Sequence, residues 1–217
     1  RTPGPGRSGV SQIRQSVCFG NFLRRDLSAT TLIQAAAEIG YASIEMLPEE
    51  HWQQVKDCGL DIACVVGHAS LPDGLNKREN HDRIEAELLA KIAAAAAWGI
   101  GSLIVFSGNR ESRSEQEGRD NCIMGLLRVK DAAETAGVTL CMELLNSKVD
   151  HPDYQCDRTP WGVEVCRGVD STHVRLLYDI YHMQIMEGDL IRTIDTYGEW
   201  FGHYHTAGNP GRQDLDL

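Results

Sequence analysis

Four times in the first two-thirds of the chain, a helix-like segment ends in glycine and passes within a few residues into a short β-branched or aliphatic run. The copies are EIG-YASIEM at Gly40, DCG-LDIACVV at Gly59, WGIG-SLIVF at Gly99 and Gly101, and TAG-VTLCMEL at Gly137. Weaker copies follow at Gly168 (CRGVDSTHVRLLYD) and Gly198 (TYGEWFGHYH). Glycine just past a helix supplies the left-handed residue that closes its last turn. The runs that follow have the length of buried strands. The pattern predicts strands at 16–20, 42–46, 61–66, 102–106, 138–143, 174–179 and 201–206. Helices are predicted between them, at 82–98 with Ile84, Leu88, Ile92 and Ala95 inward, and at 115–136 with Ile123, Leu126, Leu127 and Ala133 inward. Pro48, ahead of Glu49 and Glu50, suits a first helical turn. Strands that alternate with helices through right-handed crossovers make a parallel sheet.

Composition removes several function classes. The 217 residues carry 31 acidic and 21 basic side chains, a net charge of −10, with no clustered basic patch for a phosphate backbone. No apolar run approaches the ~18 residues of a membrane helix. Neither nucleic acid nor membrane is therefore an expected partner, and homo-oligomeric association is left open; the expected small-molecule substrate comes from the strand ends and the resemblance they carry. Seven cysteines without a CxxC pair, mostly inside apolar runs, read as buried thiols of a reducing, cytoplasmic setting. Residues 1–12 (RTPGPGRSGVSQ) read as a disordered leader, and 13–217 as one domain with no internal linker.

The predicted strands end in polar side chains: Glu45, His68 just past Gly67, Ser107 and Asn109, Glu143, Asp179, and His203 with His205. In parallel α/β proteins the carboxyl ends of the strands form the ligand face. A doubly wound open sheet is disfavoured, since no strand leads into GxGxxG or GxxxxGK[ST]. A (β/α)8 TIM barrel accounts better for a mouth that takes a residue from most strands. Side-chain alternation puts Glu143 on the face of Cys141, Asp179 on that of Leu177, and His205 on that of His203. With those faces inward, two carboxylates and an imidazole converge from three successive strands. Such a donor set suits a divalent metal, Mg²⁺ or Mn²⁺ before a structural zinc.

Plainer roles compete at each position. A strand-end Glu often caps or pairs, and Glu45 is balanced between a substrate contact and a structural pair. His203 suits a buried barrel layer, and His51, His81, His151 and His173 read as solvated. Nucleophilic catalysis has little support: there is no GxSxG elbow, and Cys141 lies one layer below Glu143.

At these residues the chain resembles the xylose isomerase-like TIM-barrel superfamily, and within it the hydroxypyruvate isomerase group, related to ketose 3-epimerases. MELLNSKVDHPDY (142–154) resembles the group's strand-end Glu with an Asn three residues on and a loop closing toward an aromatic. YDIYHMQ (178–184) is similar to the Asp-x-x-His-x-Gln/Asn motif, and GHYHTAGNPGR (202–212) to a strand whose loop ends in an Asn-x-Gly-Arg-like turn. The resemblance implies Glu143 as metal ligand and acid/base catalyst, with Asp179 and His205 as further ligands. It implies His182 and Arg212 as substrate contacts, and Asn146, His68 and Glu45 join them as candidates. The implied chemistry is an aldose–ketose-type isomerisation, hydroxypyruvate to tartronate semialdehyde, through a metal-stabilised enediolate.

Two departures open other readings. Hydroxypyruvate isomerases often carry Gln where His205 stands, whereas the epimerase branch carries His, which admits a ketose 3-epimerase or an inosose dehydratase-like enzyme. The resemblance also implies a second catalytic Glu at the end of an eighth strand. The sequence reaches Leu217 before one, so the expected barrel lacks its eighth strand and helix, and a non-catalytic sugar-binding relative enters as a further reading. A DNA-repair endonuclease on the same fold is disfavoured by the negative charge.

Overall fold

A computed structural model describes residues 13–23 and 27–215. The expected leader 1–12 lies outside them. The chain divides between Ala63 and Cys64 into two compact units.

The first unit holds a three-stranded parallel sheet of β1 (Ser16–Cys18), β2 (Ser43–Glu45) and β3 (Asp61–Ile62), in chain order. The helices are α1 (Phe19–Phe22), α2 (Ala29–Ile39) and α3 (Trp52–Asp57). Ser28 starts α2 by accepting the Thr31 N–H, and Gly40 ends it at φ 96°. Residues 19–20, read as strand, belong to α1. Pro48 stands ahead of a 3-10 turn, Glu49–His51, that runs directly into α3.

The second unit holds the larger sheet: β4 (Cys64–Val66), β5 (Ser102–Val105), β6 (Thr139–Glu143), β7 (Val174–Asp179) and β8 (Phe201–His205). All four pairings are parallel, and the strand order equals the chain order. A doubly wound sheet reverses its order at a switch point, whereas uninterrupted order is the winding of a barrel wall. The run 61–66, read as one strand, is divided at Ala63: Asp61 and Ile62 pair with β2, and Cys64–Val66 pair with β5.

The crossovers carry α4 (His81–Trp98), α5 (Glu115–Leu127), α6 (Lys130–Ala136), α7 (Thr159–Val169), α8 (Ile180–Met186) and α9 (Leu190–Tyr197). Ile84, Leu88, Ile92 and Ala95 form the buried face of α4, as their spacing predicts. The helix expected over 115–136 is instead two, broken at Arg128–Val129. The buried face of α5 is Gly118, Asn121, Cys122, Gly125 and Leu126, while Leu127 is exposed. Close packing decides this face: a Cβ on Gly118 would lie 2.2 Å from the Gln155 amide, and one on Gly125 2.7 Å from Leu75. Gly168 and Gly198 do not close helices in the left-handed region; Asp170 does so for α7, and Gly198 has φ −57°. All seven cysteines are free thiols, five of them buried. Among the described residues no helix is long and apolar enough to cross a membrane.

Candidate active site

Glu143, Asp179 and His205 are the last residues of β6, β7 and β8. Glu143 pairs with Leu177, two residues before Asp179, and Asp179 pairs with His205, so the three share one face. A register shift sets this face on β8: Leu176 pairs with Phe201 but Leu177 with His203. The extra residue is Gly202, whose Cβ would lie 2.9 Å from Cys141 Sγ. Without this bulge His205 would point to the opposite face.

The three side chains are buried, and one ligand atom from each lies within 4.8 Å of the others. His205 Nδ1 is 3.3 Å from Glu143 Oε1 and 4.0 Å from Asp179 Oδ2. Burial, then the Glu143 charge, pushes the Asp179 carboxyl up to about 6. Its other oxygen caps α8 by accepting the His182 N–H at 3.2 Å. Cys141, one layer below Glu143, is driven up to about 12 by burial, which makes it an inert thiol.

His182 and Arg212 meet beside this cluster. His182 Nδ1 lies 3.1 Å from the Asn146 backbone N–H and 2.6 Å from Asn146 Nδ2, both donors. The bare nitrogen is therefore Nδ1, and Nε2 carries the proton. Arg212 Nη2 stands 2.9 Å from that Nε2, so two donors face each other. Burial, reinforced by the Arg212 charge, depresses His182 to about 3 and keeps it neutral. The Arg212 guanidinium also lies over the Tyr181 ring, 4.7 Å from its centroid.

The remaining candidates make hydrogen bonds within the protein. Asn146 is fully buried, and its Oδ1 accepts the Val149 and Asp150 N–H groups while Nδ2 donates to Asp150 Oδ2 at 2.6 Å. It pins the loop after β6 beneath His182. His68 accepts the Phe106 N–H on Nε2 at 2.9 Å, and its Nδ1 lies 3.1 Å from the Ala69 carbonyl. Both ring nitrogens are thus spent on backbone, and burial lowers its pKa. Glu45, in the first unit, accepts from Ser16 Oγ at 2.5 Å and lies 3.5 Å from Cys18 Sγ.

Three groups escaped the sequence reading. Tyr154 is fully buried, and its hydroxyl donates to the Glu143 carbonyl at 2.9 Å while accepting the Ser107 N–H at 3.1 Å. The aromatic closing the 142–154 motif was visible, but a hydrogen bond back to the strand end has no signature in spacing. His151, read as solvated, is half-buried with its ring 5.2 Å from that of His182. His81, also read as solvated, is buried and holds the Leu75 carbonyl at 2.8 Å from Nε2. An imidazole that spends its polar atom on backbone can enter a core.

The family model described as xylose isomerase-like TIM barrel matches residues 33–216. The chain belongs to the xylose isomerase-like TIM-barrel family. A putative hydroxypyruvate isomerase of Xenopus laevis is 30% identical over 204 residues, 85% of this chain and 73% of its own. A 2-oxo-tetronate isomerase of Cupriavidus necator is 33% identical over 87 residues, 40% of this chain and only 33% of its own. A D-psicose 3-epimerase of Ruminiclostridium cellulolyticum is 26% identical over 197 residues, 81% of this chain and 65% of its own. The chain thus spans between a third and about three-quarters of these relatives' length. Among solved structures, an AP endonuclease, family 2, from Brucella melitensis superposes with a TM-score of 0.80 at 20% identity, covering 94% of this chain and 83% of its own. At that identity the likeness bears on the fold alone. Within the family, this chain stands among enzymes named isomerases and epimerases.

Proposed function

We propose that the chain is a metal-dependent isomerase of a small hydroxy-carbonyl acid, with hydroxypyruvate to tartronate semialdehyde as the leading reaction. The observation that carries this reading is the pairing of a buried strand-end carboxylate, Glu143, with two donors, Arg212 Nη2 and His182 Nε2, that face each other at 2.9 Å. An anionic oxygen of substrate resolves that donor–donor contact, and the forked guanidinium suits a carboxylate.

Glu143, Asp179 and His205 fit a divalent cation, Mg²⁺ or Mn²⁺. They bring two carboxylates and one imidazole into a single buried cluster, where an uncompensated second negative charge is costly, as the raised Asp179 carboxyl indicates. Such a cation, when bound, supplies Lewis-acid polarisation of the substrate's carbonyl and hydroxyl oxygens. Glu143 then takes the acidified proton from the carbon beside the carbonyl. Its return to the neighbouring carbon, with the hydroxyl proton passing to the former carbonyl oxygen, isomerises, whereas epimerisation needs a second acid to deliver a proton to the opposite face of the same carbon. His182 donates through Nε2 as a neutral imidazole, and Arg212 orients the acid group.

Deuterium uptake from D₂O into the CH₂ of hydroxypyruvate, followed by proton NMR with Mn²⁺ present, tests the reading. Exchange above the buffer rate, lost in Glu143→Gln, is expected. No exchange by the unsubstituted protein, or equal exchange by the variant, overturns it.

His205 favours one second reading, since the resemblance to the epimerase branch places histidine there. A ketose 3-epimerase would exchange the C3 proton of D-fructose and leave hydroxypyruvate untouched. The non-catalytic sugar-binding reading predicts exchange on neither.

A further inference from the structure

The hydrogen-bonding groups around the strand ends are nearly all spent within the protein. Asn146 uses its amide on Val149, Asp150 and His182, and His182 takes Asn146 on one nitrogen and faces Arg212 with the other. Tyr154 joins Glu143 to Ser107. His151 is different. Its backbone is fixed, with the N–H donating to the Asn146 carbonyl at 3.0 Å and the carbonyl accepting the Tyr154 N–H at 3.1 Å. Its ring is packed on that of His182, 5.2 Å between centroids at 54°. Yet among the described residues its imidazole nitrogens have no hydrogen-bond partner.

We propose that His151 is a substrate contact that sets specificity, giving a hydrogen bond to the acid end of the substrate held by Arg212 and His182. The inference rests on the isomerase reading for the identity of the substrate, but not for its own test. Three features place His151 in this role. Asn146 holds both rings, through the turn carrying His151 and through His182 Nδ1, so the two imidazoles are positioned as a unit. His151 is half-buried rather than enclosed. Burial and the nearby Arg212 charge lower its pKa, so it offers a neutral ring with one donor and one acceptor nitrogen. Asp150, the neighbouring carboxylate, is occupied by Asn146 and leaves His151 as the open polar group of the turn.

D-Glycerate is the probe, since it carries the carboxylate and adjacent hydroxyl but no carbonyl through which to enolise. Calorimetric titration with Mn²⁺ present compares the unsubstituted protein with His151→Leu and His151→Asn. A hydrogen bond to a charged group is worth roughly a ten- to hundredfold change in affinity. The Leu variant is expected to bind at least about tenfold more weakly, and the Asn variant, which restores a donor and an acceptor, to recover most of the loss. Unchanged binding by His151→Leu, equal loss in both variants, or no binding by the unsubstituted protein overturns the proposal. Failure of the isomerase reading shows separately, as absent proton exchange on hydroxypyruvate while glycerate binding still depends on His151.

Discussion

The Asn146 backbone donates to His182 Nδ1 at 3.1 Å, and this one bond decides which ring nitrogen faces Arg212. The proton is driven to Nε2, on the Arg212 side. Burial and Arg212 hold the ring neutral, with a pKa near 3 against the ordinary 6.5. A depressed histidine contributes stability that is complete above 6.5 and drains away as pH falls toward 3, because the unfolded chain takes the proton first. The His182 Cε1 proton resonance is therefore expected to stay flat from about pH 5 to 8, where an ordinary histidine moves through its midpoint. A midpoint near 6.5 would refute the assignment.

Asp179 carries the opposite sign. Its folded carboxyl titrates near 6 against an ordinary 3.8, so the folded state holds the proton more tightly. Stability from this group is present at low pH and falls as pH rises from about 4 to 6, by about 3 kcal/mol in all. Asp179→Asn, in the absence of divalent ions, should match the unsubstituted protein at pH 4 and exceed its thermal midpoint at pH 7. Millimolar Mn²⁺ at pH 7 should raise the midpoint of the unsubstituted protein and leave the variant unmoved. The pair of measurements separates the electrostatic cost of the cluster from its use as a metal site.

The barrel winding was legible because it is written in local chemistry. Gly40, Gly99 and Gly137 close α2, α4 and α6 in the left-handed region, and the short runs beyond them are strands. Glu143 and Asp179 were legible because strand parity and chain order bring their strand ends to one face, whereas His205 joins them through the bulge at Gly202, which simple alternation does not announce. The α5 face was not. Hydropathy selects large side chains, whereas the helix is buried through Gly118 and Gly125, where other residues approach too closely for a side chain. The hydrogen bonds that Asn146 and His68 make to backbone were equally hidden. Whether a polar side chain meets substrate or backbone depends on long-range hydrogen bonds such as His68 to Phe106, which leave no periodic trace.

Gly74 and Gly108 tie the loops after β4 and β5 at the ligand face. Leu75 and Asn76 donate their backbone N–H groups to Phe106 and Ser107, and a Cβ on Gly74 would lie 2.4 Å from the Gly108 nitrogen and 2.5 Å from the Phe106 oxygen. Those obstacles are backbone, so the loops themselves must part. Gly74→Ala is expected to lose at least about 1–3 kcal/mol in urea unfolding. Gly188→Ala provides a comparison: it has φ 63° but no neighbouring atom within 4 Å, so its cost is conformational alone.

Tyr154 holds Glu143 from beneath. Its hydroxyl donates to the Glu143 carbonyl at 2.9 Å and accepts the Ser107 N–H at 3.1 Å, in a fully buried setting. Tyr154→Phe keeps the ring and its packing but strands one acceptor and one donor, at a cost of about 1–3 kcal/mol. The more telling effect is on rate. Loosening the backbone of Glu143 misplaces the carboxylate proposed to take the proton while leaving Arg212 and His182 untouched. Hydroxypyruvate turnover or C–H exchange at saturation should therefore fall about tenfold or more with KM nearly constant. A rise in KM with unchanged kcat would instead place Tyr154 on the binding side of the site, and unchanged values of both would reduce it to a packing residue.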